Sequence, residues 1–411
     1  METQKIIPPE ELTGSIIHLP SSKSISNRLL ILNALSYSPW PVKNLSNSDD
    51  TRVLVEALNS NTNVFDVGAA GTSMRFLTAF LSHIVGEWTV TGSERMKERP
   101  IGVLVEALRE IGAKIEYIEK EGYPPLRIFG SALQGKTLEL PGNISSQYIS
   151  ALLMIAPIVS ARLTLKLTGD ITSRPYIQLT LKLMEQYGVK STWRGNEIHV
   201  PEQPMKPREM KVEADWSAAS YWFQLVALGG EHTQMTLQGL DRYSLQGDSA
   251  VAGLFQQLGV KHKFSQKGLV LSNSGEKAGG FKYDFTEQPD LAQTFAVTCA
   301  CLGIPFRLTG LHTLKIKETD RIQALIAEAR KLGFIFTTND VDDLTWDGTT
   351  AEPDEQPVIH TYHDHRMAMA FAPAALVKGS MTIENPGVVS KSYPGFWGDL
   401  EKAGYVVEDQ G

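Results

Sequence analysis

Cysteine is nearly absent: the 411 residues contain two, Cys299 and Cys301. That excludes a disulfide framework, and their spacing within TFAVTCACLGIPF fits no metal-binding or redox pattern. They read as buried thiols of a reducing compartment. Long apolar runs are also missing. The longest, from Ala151 to Val159, contains Pro157 and is too short to span a bilayer. The opening METQKIIPPEELTGSIIHLP has no apolar h-region, so the expectation is a soluble, unexported, cytoplasmic protein without a membrane partner. Positive charge is not in excess. Lys and Arg number 39 against 46 Asp and Glu, giving a net charge of -7, which argues against nucleic acid as a partner. There is no GxxxxGK[ST] phosphate loop and no dinucleotide fingerprint. If the substrates are anions, the cations must be gathered at a site.

What is present is a repeat. A helix-like segment ends in Gly and runs into an extended stretch at five places: ALREIGAKIEY, LMEQYGVKSTW, FQQLGVKHKF, ARKLGFIFTT and LEKAGYVVED. The glycines, Gly112, Gly188, Gly259, Gly333 and Gly404, are 76, 71, 74 and 71 residues apart. Gly after a last helical turn is a C-cap signal, and the alternation that follows suits a strand. Small polar residues open an apolar helix six times, in SSKSISNRLLILNAL, GAAGTSMRFLTAF, NISSQYISALLMIAP, EADWSAASYWFQLVAL, QPDLAQTFAVTCA and HDHRMAMAFAPAAL. Six units in this length average about 68 residues, near the glycine period. Each should supply two helices and several strands, so the class is α/β, with a closed pair of three-unit domains preferred to an open superhelix.

Helix N-termini carry partial positive charge and normally avoid Lys and Arg. Here Lys23 sits beside Ser24, the expected N-cap, and Arg75 falls in the first turn after Thr72. Arg99 precedes Pro100, the expected first residue of a helix. Arg321 opens IQALIAEARKLG, Arg366 opens MAMAFAPAAL, and Lys391 precedes Pro394 at the last helix. A cation beside a positive helix end is unfavourable unless an anion lies between them. A phosphate or carboxylate satisfies both. These positions therefore point to polyanionic ligands where several helix starts converge.

Individual segments fit that reading. PSSKSISNR offers Lys23, hydroxyls and Arg28 around one helix start, with Ser24 and Arg28 four apart on one face. In VGAAGTSMR, Gly68 and Gly71 permit close backbone approach to a ligand. NISSQY, and Ser173 with Tyr176, look like ordinary caps. In KIKETDR, Lys317 and Arg321 are i,i+4 if helical, and Glu318 and Asp320 could pair with them or do acid–base work. In HTYHDHRMAMAF, His363 and His365 would share a strand face, but no companion Cys or carboxylate cluster has metal-ligand spacing, so no metal is expected. Asp364 reads as a helix cap.

Taken together, SKSISNR, AGTSMR, TGSERMKERPIG, SSQYISALL, SRPYIQLTLKLM, SLQGD, PDLAQT, KETDRI, DHRMAMAF and Lys391 resemble the enolpyruvyl transferase family, in its branch acting on shikimate 3-phosphate. The resemblance implies two pseudo-symmetric α/β domains, each of three βαβαββ units. Residues 1–20 plus 215–411 would form one and 21–214 the other, with hinge crossovers near 21 and 214 and helix N-termini facing the cleft. It implies enolpyruvyl transfer from phosphoenolpyruvate to the 5-hydroxyl of shikimate 3-phosphate, phosphate release, no cofactor and a monomer. By position, Lys23, Ser24, Arg28, Ser145, Ser146, Ser173, Asp290 and Lys317 match contacts to shikimate 3-phosphate. Gln147 matches a residue between both substrates. Lys23, Gly71, Arg99, Arg321, Arg366 and Lys391 match contacts to phosphoenolpyruvate. Asp290 would accept the hydroxyl proton, and Glu318, with Lys23 or Lys391, would handle the methylene proton.

Three positions depart from the common family pattern: Ala69 where Asn is frequent, Phe76 where Pro is, and Thr313 where Asn is. The nearest rival acceptor is UDP-N-acetylglucosamine. Enzymes of that kind usually carry a cysteine on the loop that here surrounds Met96, and this loop has none. A nucleic-acid end-processing enzyme is disfavoured by the acidic charge. A non-catalytic sensor is disfavoured because Asp290, Glu318 and Lys23 are all present.

Overall fold

Five glycines end helical segments in a left-handed conformation. The computed structural model describes residues 2–12 and 14–410. In it, Gly112, Gly188, Gly259, Gly333 and Gly404 have φ of +105°, +80°, +87°, +86° and +105°, a region that costs other residues a Cβ clash. Four of them lead directly into strands, Lys114–Tyr117, Thr192–Arg194, Val260–Ser265 and Val406–Gln410. After Gly333 the chain is extended but pairs only through bridges, Phe334 to Thr350 and Thr337 to Thr345.

Those five stretches each close one of five sheets. In Val64–Asp66, Glu87–Thr91, Leu126–Phe129, Lys114–Tyr117, taken in spatial order, the first pair is parallel and the next two are antiparallel. The order Thr137–Pro141, Leu163–Thr168, Glu197–Val200, Thr192–Arg194 repeats this pattern. So does Ile16–His18, Gln234–Gln238, Gly268–Asn273, Val260–Ser265. So does Val358–Ile359, Met381–Glu384, Thr3–Ile7, Val406–Gln410. The fifth, Phe281–Asp284, Phe306–Thr309, Leu344–Trp346, has the parallel and one antiparallel pairing, and the bridges after Gly333 stand in for its fourth strand. In each four-stranded sheet the strand after the glycine lies at the edge away from the parallel pair.

The chain divides into two compact units, Met1–Ser21 with Glu213–Gly411, and Ser22–Val212. The first holds three sheets, two of them completed by the N-terminal strands Thr3–Ile7 and Ile16–His18. The second holds two sheets. Its remaining copy of the repeat has the helices Lys23–Leu35 and Asp49–Asn59 but, among the described residues, only the bridge between Lys43 and Lys211 in place of a sheet. Pro39 and Pro41 on one side, and Pro204 and Pro207 on the other, remove the backbone donors that a ladder would use.

All six expected helix openings are helices: Lys23–Leu35, Gly71–Leu81, Ser146–Ile155, Trp216–Leu228, Ala292–Cys301 and His365–Phe371. Most of their residues are buried, so they form the cores of their units rather than amphipathic surface helices. Cys299 and Cys301 lie on the fifth. Burial pushes both thiols up, Cys301 to about 12, which keeps them protonated and unreactive. Among the described residues no helix is long and apolar enough to cross a membrane.

Candidate active site

The helix Arg321–Lys331 starts behind Asp320, whose carboxylate accepts from the backbone N–H groups of Ile322 and Gln323 at 3.1 and 3.2 Å. Its first residue, Arg321, is buried and fully engaged. Nε reaches Asp364 Oδ2 at 2.6 Å, Nη1 reaches Asp290 Oδ1 at 3.1 Å, and Nη2 reaches Glu318 Oε2 at 3.0 Å. Asp364 in turn caps His365–Phe371, accepting from the N–H of Arg366 at 2.9 Å. The Arg366 side chain donates to Asp290 Oδ2 at 2.9 Å and to the Tyr221 hydroxyl at 3.4 Å. Lys317 Nζ lies 3.6 Å from Asp290, and Lys391 Nζ lies 3.2 Å from Glu318.

The first unit thus joins Lys317, Arg321, Arg366 and Lys391 to Asp290, Glu318 and Asp364 in one network, four cations against three carboxylates. Burial alone would push the Asp290 carboxyl up. Arg366, Lys317 and Arg321 outweigh it and hold the group well below the usual range. Burial would lower Arg321, but the charges of Asp364, Glu318 and Asp290 raise it instead. Arg321 and Arg366, two of the cations at helix starts, are therefore already paired with carboxylates of the chain. A bound anion would compete with them.

The second unit gathers its own set. Lys23 is the first residue of its helix, and its Nζ lies 3.3 Å from Asp50 Oδ2. The cap is Ser22, which accepts from the Ile25 N–H. Ser24 is inside the helix, contrary to expectation. Arg28 is buried and bonded to Thr180 Oγ1 at 2.7 Å, the Ser24 carbonyl at 2.9 Å and Ser150 Oγ at 3.1 Å. Burial lowers it to about 10, still protonated at neutral pH. It ties three helices together. Gln147 donates from Nε2 to Thr72 Oγ1 at 3.2 Å, joining the starts of Ser146–Ile155 and Gly71–Leu81. Ser145 caps the former through the Gln147 N–H, with Ser146 its first residue. A Cβ on Gly71 would lie 2.7 Å from Arg99 Nη1, so glycine is what lets that guanidinium lie on the helix start.

Several local expectations fail. Ser173 caps Arg174–Gln186 in a left-handed conformation, φ 53°, without a side-chain cap bond. Arg75 is the fifth residue of its helix and points inward, donating to the Gly71 and Pro100 carbonyls. It braces the fold. Pro100 is not the first helical residue: the helix starts at Gly102, and the Pro100 carbonyl is held by Arg75 and the Tyr148 hydroxyl. Lys317 lies outside the Arg321 helix, so the pair does not share a helical face. Lys391 ends the 3-10 turn Pro386–Lys391 rather than opening the helix Phe396–Lys402. His363 sits in a left-handed turn and His365 starts a helix, so they share no strand face. Sequence reasoning missed Asp364 as the clamp on Arg321, Asp50 as the partner of Lys23, and Tyr221. A capping Asp is too common to reveal a tertiary partner.

Residues 6–62 and 55–400 match the family profile described as EPSP synthase (3-phosphoshikimate 1-carboxyvinyltransferase). The chain belongs to the EPSP synthase family. A 3-phosphoshikimate 1-carboxyvinyltransferase of Bacteroides fragilis (strain YCH46) is 53% identical over 401 residues, 97% of each chain. One of Vibrio atlanticus is 36% identical over 437 residues, covering 98% of this chain and 99% of its own. The solved EPSP synthase of Acinetobacter baumannii superposes over 100% of both chains with a TM-score of 0.80 at 21% identity, which speaks for the fold. Two departures from the EPSP synthase pattern gain a setting. Phe76, where Pro is frequent, lies under Arg28, with the guanidinium 5.6 Å from the ring centre. Thr313 has a buried hydroxyl with no hydrogen-bond partner among the described residues.

Proposed function

We infer that the chain transfers the enolpyruvyl group of phosphoenolpyruvate to the 5-hydroxyl of shikimate 3-phosphate and releases phosphate, as its family membership states, and that the residues gathered in the two units carry the reaction. The observation that supports this assignment is the Asp290–Glu318 pair. Two carboxylates sit among four cations, close enough to share Arg321. The reaction needs a base, an acid and dense positive charge around phosphates and carboxylates. On this reading Asp290 takes the proton of the 5-hydroxyl as its oxygen bonds to C2 of the enol. Glu318, with Lys23 or Lys391, protonates the methylene carbon. Loss of a proton from the new methyl group then expels phosphate and restores the double bond.

Shikimate 3-phosphate would be held by Lys23, Ser24, Arg28, Ser145, Ser146, Ser173, Asp290 and Lys317. Phosphoenolpyruvate would be held by Lys23, Gly71, Arg99, Arg321, Arg366 and Lys391, and Gln147 would lie between the two. Hinges near 21 and 214 would join domains 1–20 plus 215–411 and 21–214. The same reading has the protein acting as a cytoplasmic monomer on small molecules, not nucleic acid.

The test is phosphate release from phosphoenolpyruvate by the purified protein, with shikimate 3-phosphate and with UDP-N-acetylglucosamine in parallel. Release only with the first is expected. Release only with the second would overturn the acceptor and keep the transfer chemistry.

A further inference from the structure

The SLQGD segment resembles the family's pattern but has no part in the chemistry above. In the structure it is stitched to residues 213–217 at every second position. Ser244 donates to Glu213 Oε1 at 2.6 Å. Gln246 donates to the Ala214 carbonyl at 2.8 Å and accepts from the Trp216 N–H at 3.1 Å. Asp248 Oδ2 accepts from the Ser217 hydroxyl. Ser217 and Tyr221 are four apart on Trp216–Leu228, hence on one face. Ser217 holds Asp248, and one turn on Tyr221 touches Arg366, which holds Asp290.

We propose that Asp248 is a positioning residue of this reaction: its buried negative charge, held by Ser217, acts on Arg366 and so keeps Asp290 basic among its cations. The proposal rests on Asp290 being the base. Charged groups that act on Asp248 include Asp290 from the turn Pro289–Leu291, Arg366 from His365–Phe371, and Asp215 at the cap of Trp216–Leu228. Three cations depress Asp290, and a depressed carboxylate is a poor proton acceptor. A like charge nearby works in the opposite direction. Asp248 is 3% exposed, and burial, with Asp290 next, pushes its carboxyl up to about 6, against the opposing Ser217 hydrogen bond and Arg366 charge. Its charge therefore switches on across the mildly acidic range, and a neighbouring base would feel that switch.

The experiment is kcat and the KM for phosphoenolpyruvate from pH 5 to 9 for the wild type, Asp248→Asn, Ser217→Ala and Asp290→Ala, with thermal melts as a fold control. Asp248→Asn keeps the shape and an acceptor for Ser217. We expect its kcat to fall roughly tenfold above pH 7, as one pKa unit of lost basicity implies, without a rise in KM. The wild-type rise in kcat near pH 6 should vanish. Ser217→Ala removes the bond that favours the charged form, so that rise should move to higher pH. A merely structural role would move neither midpoint. A wild-type profile in Asp248→Asn, beside a slow Asp290→Ala, would overturn the role of Asp248 alone. Normal turnover by Asp290→Ala would overturn the base assignment, and this inference with it.

Discussion

A carboxylate surrounded by Arg366, Arg321 and Lys317 is stabilised as the anion and holds protons poorly. Asp290 can serve as base only when those cations are drawn elsewhere, and the phosphate and carboxylate groups of the two substrates are what would draw them. Base strength would then arrive with the substrates. Asp290→Ala should still bind shikimate 3-phosphate, measurable by calorimetry, while kcat falls by about a hundredfold or more, the usual weight of a general base. Because the folded pKa is depressed, the stability Asp290 contributes is present above the unfolded value of 3.8 and is lost only in stronger acid. Asp248 has the opposite sign. Its folded pKa is raised to about 6, so its contribution is complete below 3.8 and is lost as pH rises through 6. At pH 8 its charge should cost on the order of 3 kcal/mol. Asp248→Asn should therefore melt higher than the wild type at pH 8 and close to it at pH 4. A lower melting point at pH 8 would show the carboxylate to be a structural asset. Arg321 and Arg366 were legible because they violate the helix-dipole preference. Asp248, Asp364 and Tyr221 were not, since their partners lie tens of residues away in the chain.

At the scale of elements, periodicity was enough to find all five terminating glycines and all six buried helices, because C-caps and apolar helix starts are local signals. The shared sheet order, one parallel pair and then antiparallel partners, depends on pairing between distant segments and was invisible. Helix starts were legible only to within a turn: Pro100 and Lys391 were misplaced because carbonyl contacts and a 3-10 turn intervene. The glycines are also not equivalent. At Gly188, φ +80°, an added Cβ would meet the flexible Lys206 side chain at 3.2 Å. At Gly259, φ +87°, it would meet the Glu276 carbonyl oxygen at 2.9 Å, and backbone yields less readily. Gly188→Ala should cost about 1 kcal/mol from the left-handed conformation alone, and Gly259→Ala about 2 to 3 kcal/mol. Urea unfolding midpoints will separate them, with KM unchanged in both. Equal losses would mean that the strand after Gly259 shifts to admit the methyl group.

At the scale of the whole molecule, the proposed ligands of one small substrate are divided between the two compact units. Lys23, Gly71 and Arg99 belong to Ser22–Val212. Arg321, Arg366 and Lys391 belong to Met1–Ser21 with Glu213–Gly411. Each unit has its own sheets and its own ion pairs, Lys23 with Asp50 and Arg366 with Asp290. A molecule as small as phosphoenolpyruvate can touch Lys23 and Arg366 together only if both lie within hydrogen-bonding reach of it, so binding must fix the position of one unit against the other. The linkage runs through only two crossovers, bridged to each other at Ser21 and Ala214. On the proposed reading, domain closure would expel water from the reacting groups. Small-angle scattering should show the radius of gyration falling when shikimate 3-phosphate and an unreactive phosphoenolpyruvate analogue are added together. Arg366→Gln should abolish most of that change while leaving shikimate 3-phosphate binding in place, because it removes a ligand from one unit only. An unchanged radius in the wild type, with binding verified in the same sample, would mean that the two sets of residues do not meet on one substrate.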